Sequence, residues 1–280
     1  MSHLRNLFQS PSPQNPTSAA ASAAPEDDAG VSSVVTVAPN FAEFAVEESH
    51  LRPENRLVCY TDPRSQAADR YRFLRMRLKE YGRTGKLKKL LISSPLPHDG
   101  KSTVVLNLAT ALAERGKRTV LVVEADLHHS SYSENLKLRN WAGLTECLVD
   151  DATSPLSAIR RIEPLGWYLL PAGEPRRNPT ELLQTPAFGH IMEQLSPCFD
   201  WILIDSPPVI PLTDPLSLQQ HADASLLVVR AGKTPREAVE QAIALLGKKN
   251  ILGIVLNGVE TRDHLYYQYY EGSRRSPEDD

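Results

Sequence analysis

"KLLISSPLPHDGKSTVVLNLATALAERGKRTVLVVEAD", residues 89–126, is the stretch on which the fold turns. Two apolar runs, "KLLISS" (89–94) and "RTVLVVEAD" (118–126), flank a segment whose apolar residues recur at helical spacing. Val104, Val105, Leu108, Ala109 and Leu112 share one face of that segment, and Gly116 stands where it would close. The flanking runs are short, continuous and rich in branched aliphatic residues, which suits strands buried on both faces of a parallel sheet. Further runs follow at "GWYLLP" (166–171), "DWILIDSPP" (200–208), "ASLLVVRAG" (224–232) and "NILGIVLNG" (250–258). Strands alternating with helical segments predict an α/β fold, a doubly wound and mainly parallel sheet flanked by helices.

The 280 residues, 41% of them hydrophobic, suffice for one such domain with tails. Residues 10–30, "SPSPQNPTSAAASAAPEDDAG", carry almost no large apolar side chains, so a disordered N-terminal tail is expected over 1–50. The domain is expected over 51–262, and a polar tail over 263–280. A formal net charge of -3 argues against nucleic acid as the main partner, and the short basic run "RTGKLKK" (83–89) reads as a solvated face. The 3 cysteines form no CxxC pair, which fits a reducing cytoplasm. No segment reaches the roughly 18 apolar residues of a membrane span, so the chain is expected to be soluble.

The loop between the first strand and helix ends in Gly100-Lys101-Ser102-Thr103. A strand, such a loop and a helix form the context of a phosphate-binding site: backbone N–H groups face the phosphates, Lys101 adds a point charge, and Ser102 can ligate Mg²⁺. Pro97, His98, Asp99, Gly100, Lys101, Ser102 and Thr103 are the candidate nucleotide-binding residues of this loop. His98 stands where a positive φ would cost a non-glycine residue about 1 kcal/mol. Ligands of an open parallel sheet gather at the carboxyl ends of its strands, where Glu124, Asp126 and Asp205 stand. With Lys101 these acids supply what phosphoryl transfer needs, metal placement and a base; sequence does not divide those roles between Glu124 and Asp126.

"SPLPHDGKST" (94–103), "LVVEADLHHS" (121–130) and "ILIDSPPVIPLTD" (202–214) resemble the Walker A, Walker A′ and Walker B motifs of the bacterial tyrosine kinases, the P-loop kinases of capsule and exopolysaccharide assembly. "PAGEPRRNPTELLQTPAF" (171–188) and "GIVLNGV" (253–259) are similar to two further segments of that family. The resemblance covers roughly residues 57–270 and is shared, motif by motif, with MinD and ParA-type ATPases. It implies a P-loop NTPase fold, ATP and Mg²⁺ as cofactors, Ser102, Asp126 and Asp205 around the metal, and Asn257 at the adenine.

"DHLYYQYYEG" (263–272) places Tyr266, Tyr267, Tyr269 and Tyr270 beyond the last expected strand. A tyrosine hydroxyl is neutral at pH 7 and attacks only with a positioned base, which Glu124 or Asp126 could supply. The resemblance implies that this cluster is the autophosphorylation substrate. Asp69, Arg72 and Arg75 recur at i, i+3 and i+6 in "SQAADRYRFLRMRLK" (65–79) and resemble the family's ring-forming motif, which implies a homo-oligomer with tails phosphorylated in trans. The family further implies a separate membrane adaptor or polysaccharide co-polymerase, a cognate tyrosine phosphatase, and a cytoplasmic protein held at the inner face of the membrane. His98, Glu124 and His128 depart from the pattern, replacing Gly, Asp and Arg. A catalytically weak nucleotide-binding scaffold is therefore an alternative. A MinD-like switch ATPase is another, disfavoured because such proteins typically end in an amphipathic helix.

Overall fold

The computed structural model describes residues 39–49, 51, 56–84, 87–132, 136, 138, 141–150 and 152–259. Its first half runs β1 (Ala45–Glu48), α1 (Val58–Thr61), α2 (Gln66–Thr84), β2 (Lys89–Ser93), α3 (Lys101–Ala113), β3 (Val120–Glu124), α4 (Leu144–Val149), α5 (Pro155–Ala158) and β4 (Arg160–Glu163). The second half runs β5 (Trp167–Leu170), α6 (Pro179–Leu183), α7 (Pro186–Leu195), β6 (Trp201–Asp205), α8 (Asp214–Gln219), β7 (Ala224–Arg230), α9 (Arg236–Leu246) and β8 (Ile251–Asn257). One sheet holds the strands in the order β1-β4-β5-β3-β6-β2-β7-β8. Every pairing is parallel except β4 with β5.

Each of the expected apolar runs contains a strand. Successive residues of these strands feed opposite faces of the sheet, as the pleat requires. Leu90, Ile92, Val120, Val122 and Leu203 pack with α3, while Leu91, Leu121, Val123, Ile202 and Ile204 pack with α4, α7 and α8. Helix α3 is buried along nearly its whole length, including the polar Asn107. That side chain is fully used: its amide donates to the Arg56 and Thr103 carbonyls at 2.9 Å, and its oxygen accepts from the Cys59 N–H at 3.1 Å. The segment before α2 is thereby tied to the helix that carries Lys101.

Some sequence expectations change. Helix α3 stops at Ala113 rather than running to Gly116, because Glu114, Arg115 and Gly116 all take positive φ. Strand β8 is not buried on both faces: at the sheet edge Ile254 remains 49% and Leu256 57% exposed. Strand β4, "RRIE", has no apolar run to announce it and pairs with β5 across a tight turn.

The N-terminal tail expected to residue 50 is shorter at its C-terminal end. Residues 45–48 pair with β4, and Phe41 and Phe44 pack on Tyr168 and Phe199 with ring centroids 5.3–6.4 Å apart. Those rings give the segment the apolar surface that residues 10–30 lack. A chain shortened to begin at residue 51 is expected to lose about 3 kcal/mol or more relative to one beginning at residue 37, from one buried ring, one partly buried ring and a strand ladder. Equal urea midpoints for the two would show that the aromatic cluster contributes nothing.

Candidate active site

The site lies where β2, β3 and β6, three neighbours in the sheet, end together. The loop from Ser94 to Gly100 is braced from several sides. Asp99 is 4% exposed; one oxygen accepts from the Leu96 N–H at 3.2 Å and the other from the Thr234 hydroxyl at 2.7 Å. The carbonyl of His98 accepts from Arg230 at 3.0 Å, and that of Asp99 from the Asn257 amide at 2.9 Å. Asp99 is thus an internal strut of the loop. His98 does adopt the left-handed conformation, with φ of 65°. Histidine visits that region more readily than most residues, and the Arg230 contact helps to hold it there.

Gly100 opens α3 with φ of 90°. A Cβ there would lie 2.1 Å from the Asn257 amide nitrogen, so the glycine is needed for both its backbone and its lack of a side chain. Lys101 and Ser102 follow in the first turn, where unpaired backbone N–H groups gather. The Lys101 ammonium lies 2.7 Å from Asp126 Oδ2, 3.5 Å from Ser102 Oγ and 4.0 Å from Asp205 Oδ1. Burial works against that charge, but Asp205 and Asp126 outweigh it and hold the ammonium pKa above its ordinary value.

The acids differ in what surrounds them. Glu124, 1% exposed, spends its carboxylate on backbone: Oε1 accepts from the Ser131 and Tyr132 N–H groups at 2.7 and 2.9 Å, and Oε2 from that of Ala172 at 3.1 Å. Burial raises its pKa, against the pull of those amides. Asp126 faces Lys101 through Oδ2 and accepts from the His129 N–H at 3.1 Å through Oδ1. Asp205 accepts from the Tyr132 hydroxyl at 2.6 Å through Oδ2, while its Oδ1 is buried and has no hydrogen-bond partner. Burial pushes its carboxyl up, and Lys101, Tyr132 and Ser102 oppose the shift.

His128 lies beside Asp214, Nε2 to Oδ2 at 2.8 Å, at the start of α8. The histidine thus makes a polar contact with the buried acid that begins α8. The residues expected at an oligomer contact lie on α2 and are engaged within the chain. Arg72 pairs with Asp69 and the Pro63 carbonyl, and Arg75 donates to the Ala111 carbonyl at 3.0 Å. Tyr266, Tyr267, Tyr269 and Tyr270 lie outside the described residues.

Sequence reasoning missed Tyr132, Thr234 and Arg230. None sits in a recognisable motif, and only the chain's path brings them to the loop or to Asp205. Asn257, which the resemblance assigns to the adenine, donates its amide to the Asp99 carbonyl and lines the cavity beside the loop.

The donors present fit an oxygen-seeking cation: a serine hydroxyl, an orphaned buried carboxylate oxygen and a second carboxylate converge beside the phosphate loop. Among the described residues no cluster of His, Cys, Asp or Glu could hold a metal by itself.

A phosphate loop opening a helix, facing acids at the ends of adjacent parallel strands, defines a P-loop nucleotide-binding protein. The model of the "CobQ/CobB/MinD/ParA nucleotide binding domain" matches residues 98–277. Within that class the chain belongs to the family of bacterial tyrosine-protein kinases. It is 30% identical over 221 residues to the tyrosine-protein kinase YwqD of Bacillus subtilis (strain 168), covering 78% of this chain and 92% of that one. It is 29% identical over 219 residues to the succinoglycan biosynthesis transport protein ExoP of Rhizobium meliloti (strain 1021), covering 76% of this chain but only 28% of ExoP. Among solved structures, the kinase domain of the Escherichia coli tyrosine kinase ETK superposes with a TM-score of 0.69 at 28% identity, over 74% of this chain and 81% of that one.

Proposed function

We propose that the chain is an ATP-dependent protein-tyrosine kinase that phosphorylates its own C-terminal cluster, Tyr266, Tyr267, Tyr269 and Tyr270, in trans within a ring. The observation that carries this reading is the Lys101 ammonium held between Asp126 and Asp205 beside Ser102. A cation, a hydroxyl and two acids within one small volume match the needs of phosphoryl transfer.

In this reading the amides of residues 97–103 bind the nucleotide phosphates, and Lys101 moves its charge from Asp126 toward them. Ser102 and Asp205 would hold Mg²⁺, which would neutralise phosphate charge when bound. Asp126, released from Lys101, is the base that accepts the tyrosine proton. Glu124 is not that base, because its oxygens are committed to backbone amides. A cavity of about 480 Å³ lined by Thr103, Asn257, Gly258, Val259, Arg70 and Tyr71 adjoins the loop and has room for the nucleoside.

Ring assembly would require Asp69, Arg72 and Arg75 to exchange contacts within the chain for contacts with a neighbour. No helix among the described residues is long and apolar enough to cross a membrane. In this reading, work at a membrane uses a separate adaptor, such as a polysaccharide co-polymerase, with a phosphatase to reset the tail. A weakly catalytic scaffold is the second reading, and the structural use of Glu124 is the observation that favours it.

Purified protein incubated with Mg-ATP is expected to acquire phosphotyrosine at residues 266–270, and Tyr→Phe changes at all four positions to remove at least about nine-tenths of it. Mixing that variant with the Lys101→Met protein tests the trans step. Phosphate should appear on the Lys101→Met tail, whose own site is inactive. Nucleotide binding without any phosphotyrosine would favour the scaffold.

A further inference from the structure

Tyr132 is the largest side chain at the site that the proposed chemistry leaves unused. Its ring is fully buried, in the core cluster that also contains Trp167 and Leu136. Its hydroxyl donates to Asp205 Oδ2 at 2.6 Å, and its backbone N–H is held by Glu124 at 2.9 Å. Glu124 also takes the Ser131 and Ala172 N–H groups, which joins the segment after β3 to the segment after β5. Tyr132 is therefore fixed at three points: by its packed ring, its anchored backbone and its hydroxyl.

We propose that Tyr132 is a positioning residue for the metal-side carboxylate of Asp205, and that Glu124 serves this device instead of the chemistry. A carboxylate whose oxygens were both unbonded could turn about its Cβ–Cγ bond and present either one. With Oδ2 committed to Tyr132, the torsion is set and Oδ1 alone is offered. That atom is the orphaned buried oxygen 4.0 Å from the Lys101 ammonium. The arrangement accounts for two otherwise unconnected features, a glutamate turned onto backbone amides and a phenol buried beside an acid.

The inference rests on the nucleotide-site reading above, and the test separates the two. ADP binding is measured by titration calorimetry in EDTA and across a Mg²⁺ series, for the native protein and for Tyr132→Phe. Metal-free ADP affinity should agree within about twofold, because the phosphate loop is untouched. The Mg²⁺ concentration giving half of the metal-dependent gain in affinity should rise about tenfold, as loss of a well-aligned supporting partner of a metal ligand does. A Tyr132→4-aminophenylalanine protein, which keeps a donor at the same reach, should recover part of that shift, whereas a residue needed only for packing would be replaced equally well by phenylalanine.

An unchanged Mg²⁺ requirement in folded Tyr132→Phe would overturn the positioning role. A native protein that binds ADP with no Mg²⁺-dependent gain would overturn the metal-site reading along with it. Should Tyr132→Phe fail to fold, the 4-aminophenylalanine protein decides: a Mg²⁺ requirement raised by its weaker donor supports the proposal, and a native one overturns it.

Discussion

Lys101→Met is expected to lower phosphotyrosine formation at least about a hundredfold, the range seen when one preorganised donor to developing charge is removed. Phosphoryl transfer spreads negative charge over the moving group, and Lys101 is the ammonium poised beside the phosphate loop. The same change strips Asp126 and Asp205, only 4% and 2% exposed at their side chains, of their shared cation. Removing one partner of such a buried set costs about 3 kcal/mol, so the melting temperature should fall too. Adding Asp126→Asn to Lys101→Met removes one of the stranded charges and should recover part of the stability and none of the activity. Activity within tenfold of native in the folded single variant would remove Lys101 from the proposed mechanism.

Gly100→Ala should be nearly as damaging, for a different reason. At φ of 90° an alanine is strained by about 1–2 kcal/mol. Its Cβ would stand 2.1 Å from the Asn257 amide, which must then give up its bond to the Asp99 carbonyl. Losing that bond costs about 1 kcal/mol more. Spent on the loop that binds phosphate, the sum corresponds to a roughly thirtyfold or greater loss of ADP affinity by calorimetry, since about 1.4 kcal/mol is tenfold. Asn257→Ala alone keeps the glycine backbone and should show only the hydrogen-bond share. Equal losses in the two variants would mean that the backbone strain is absent.

Much of the fold was legible because continuous apolar runs and helical periodicity are local signals, strongest where both faces of a strand are buried. The runs at 89–94, 118–126 and 200–208 each hold a strand that ends at the site. Strands β1 and β4 were not legible, since "AVEE" and "RRIE" carry no such run and are strands only through their neighbours. Aromatic pairing of Phe41 and Phe44 with residues more than 120 positions away leaves no local trace either.

By itself the sequence determined that a phosphate loop opens a helix in a parallel sheet, because the spacing of glycine, lysine and hydroxyl residues after a strand is a local geometric requirement. It also determined that Glu124, Asp126 and Asp205 end their strands on the ligand side. Only the tertiary structure decided what each of those acids meets. Glu124 and Asp126 are alike as charges, and what separates them is whether a carboxylate meets the amides of Ser131, Tyr132 and Ala172 or the ammonium of Lys101. That is a property of three-dimensional neighbours, and neither composition nor spacing encodes it.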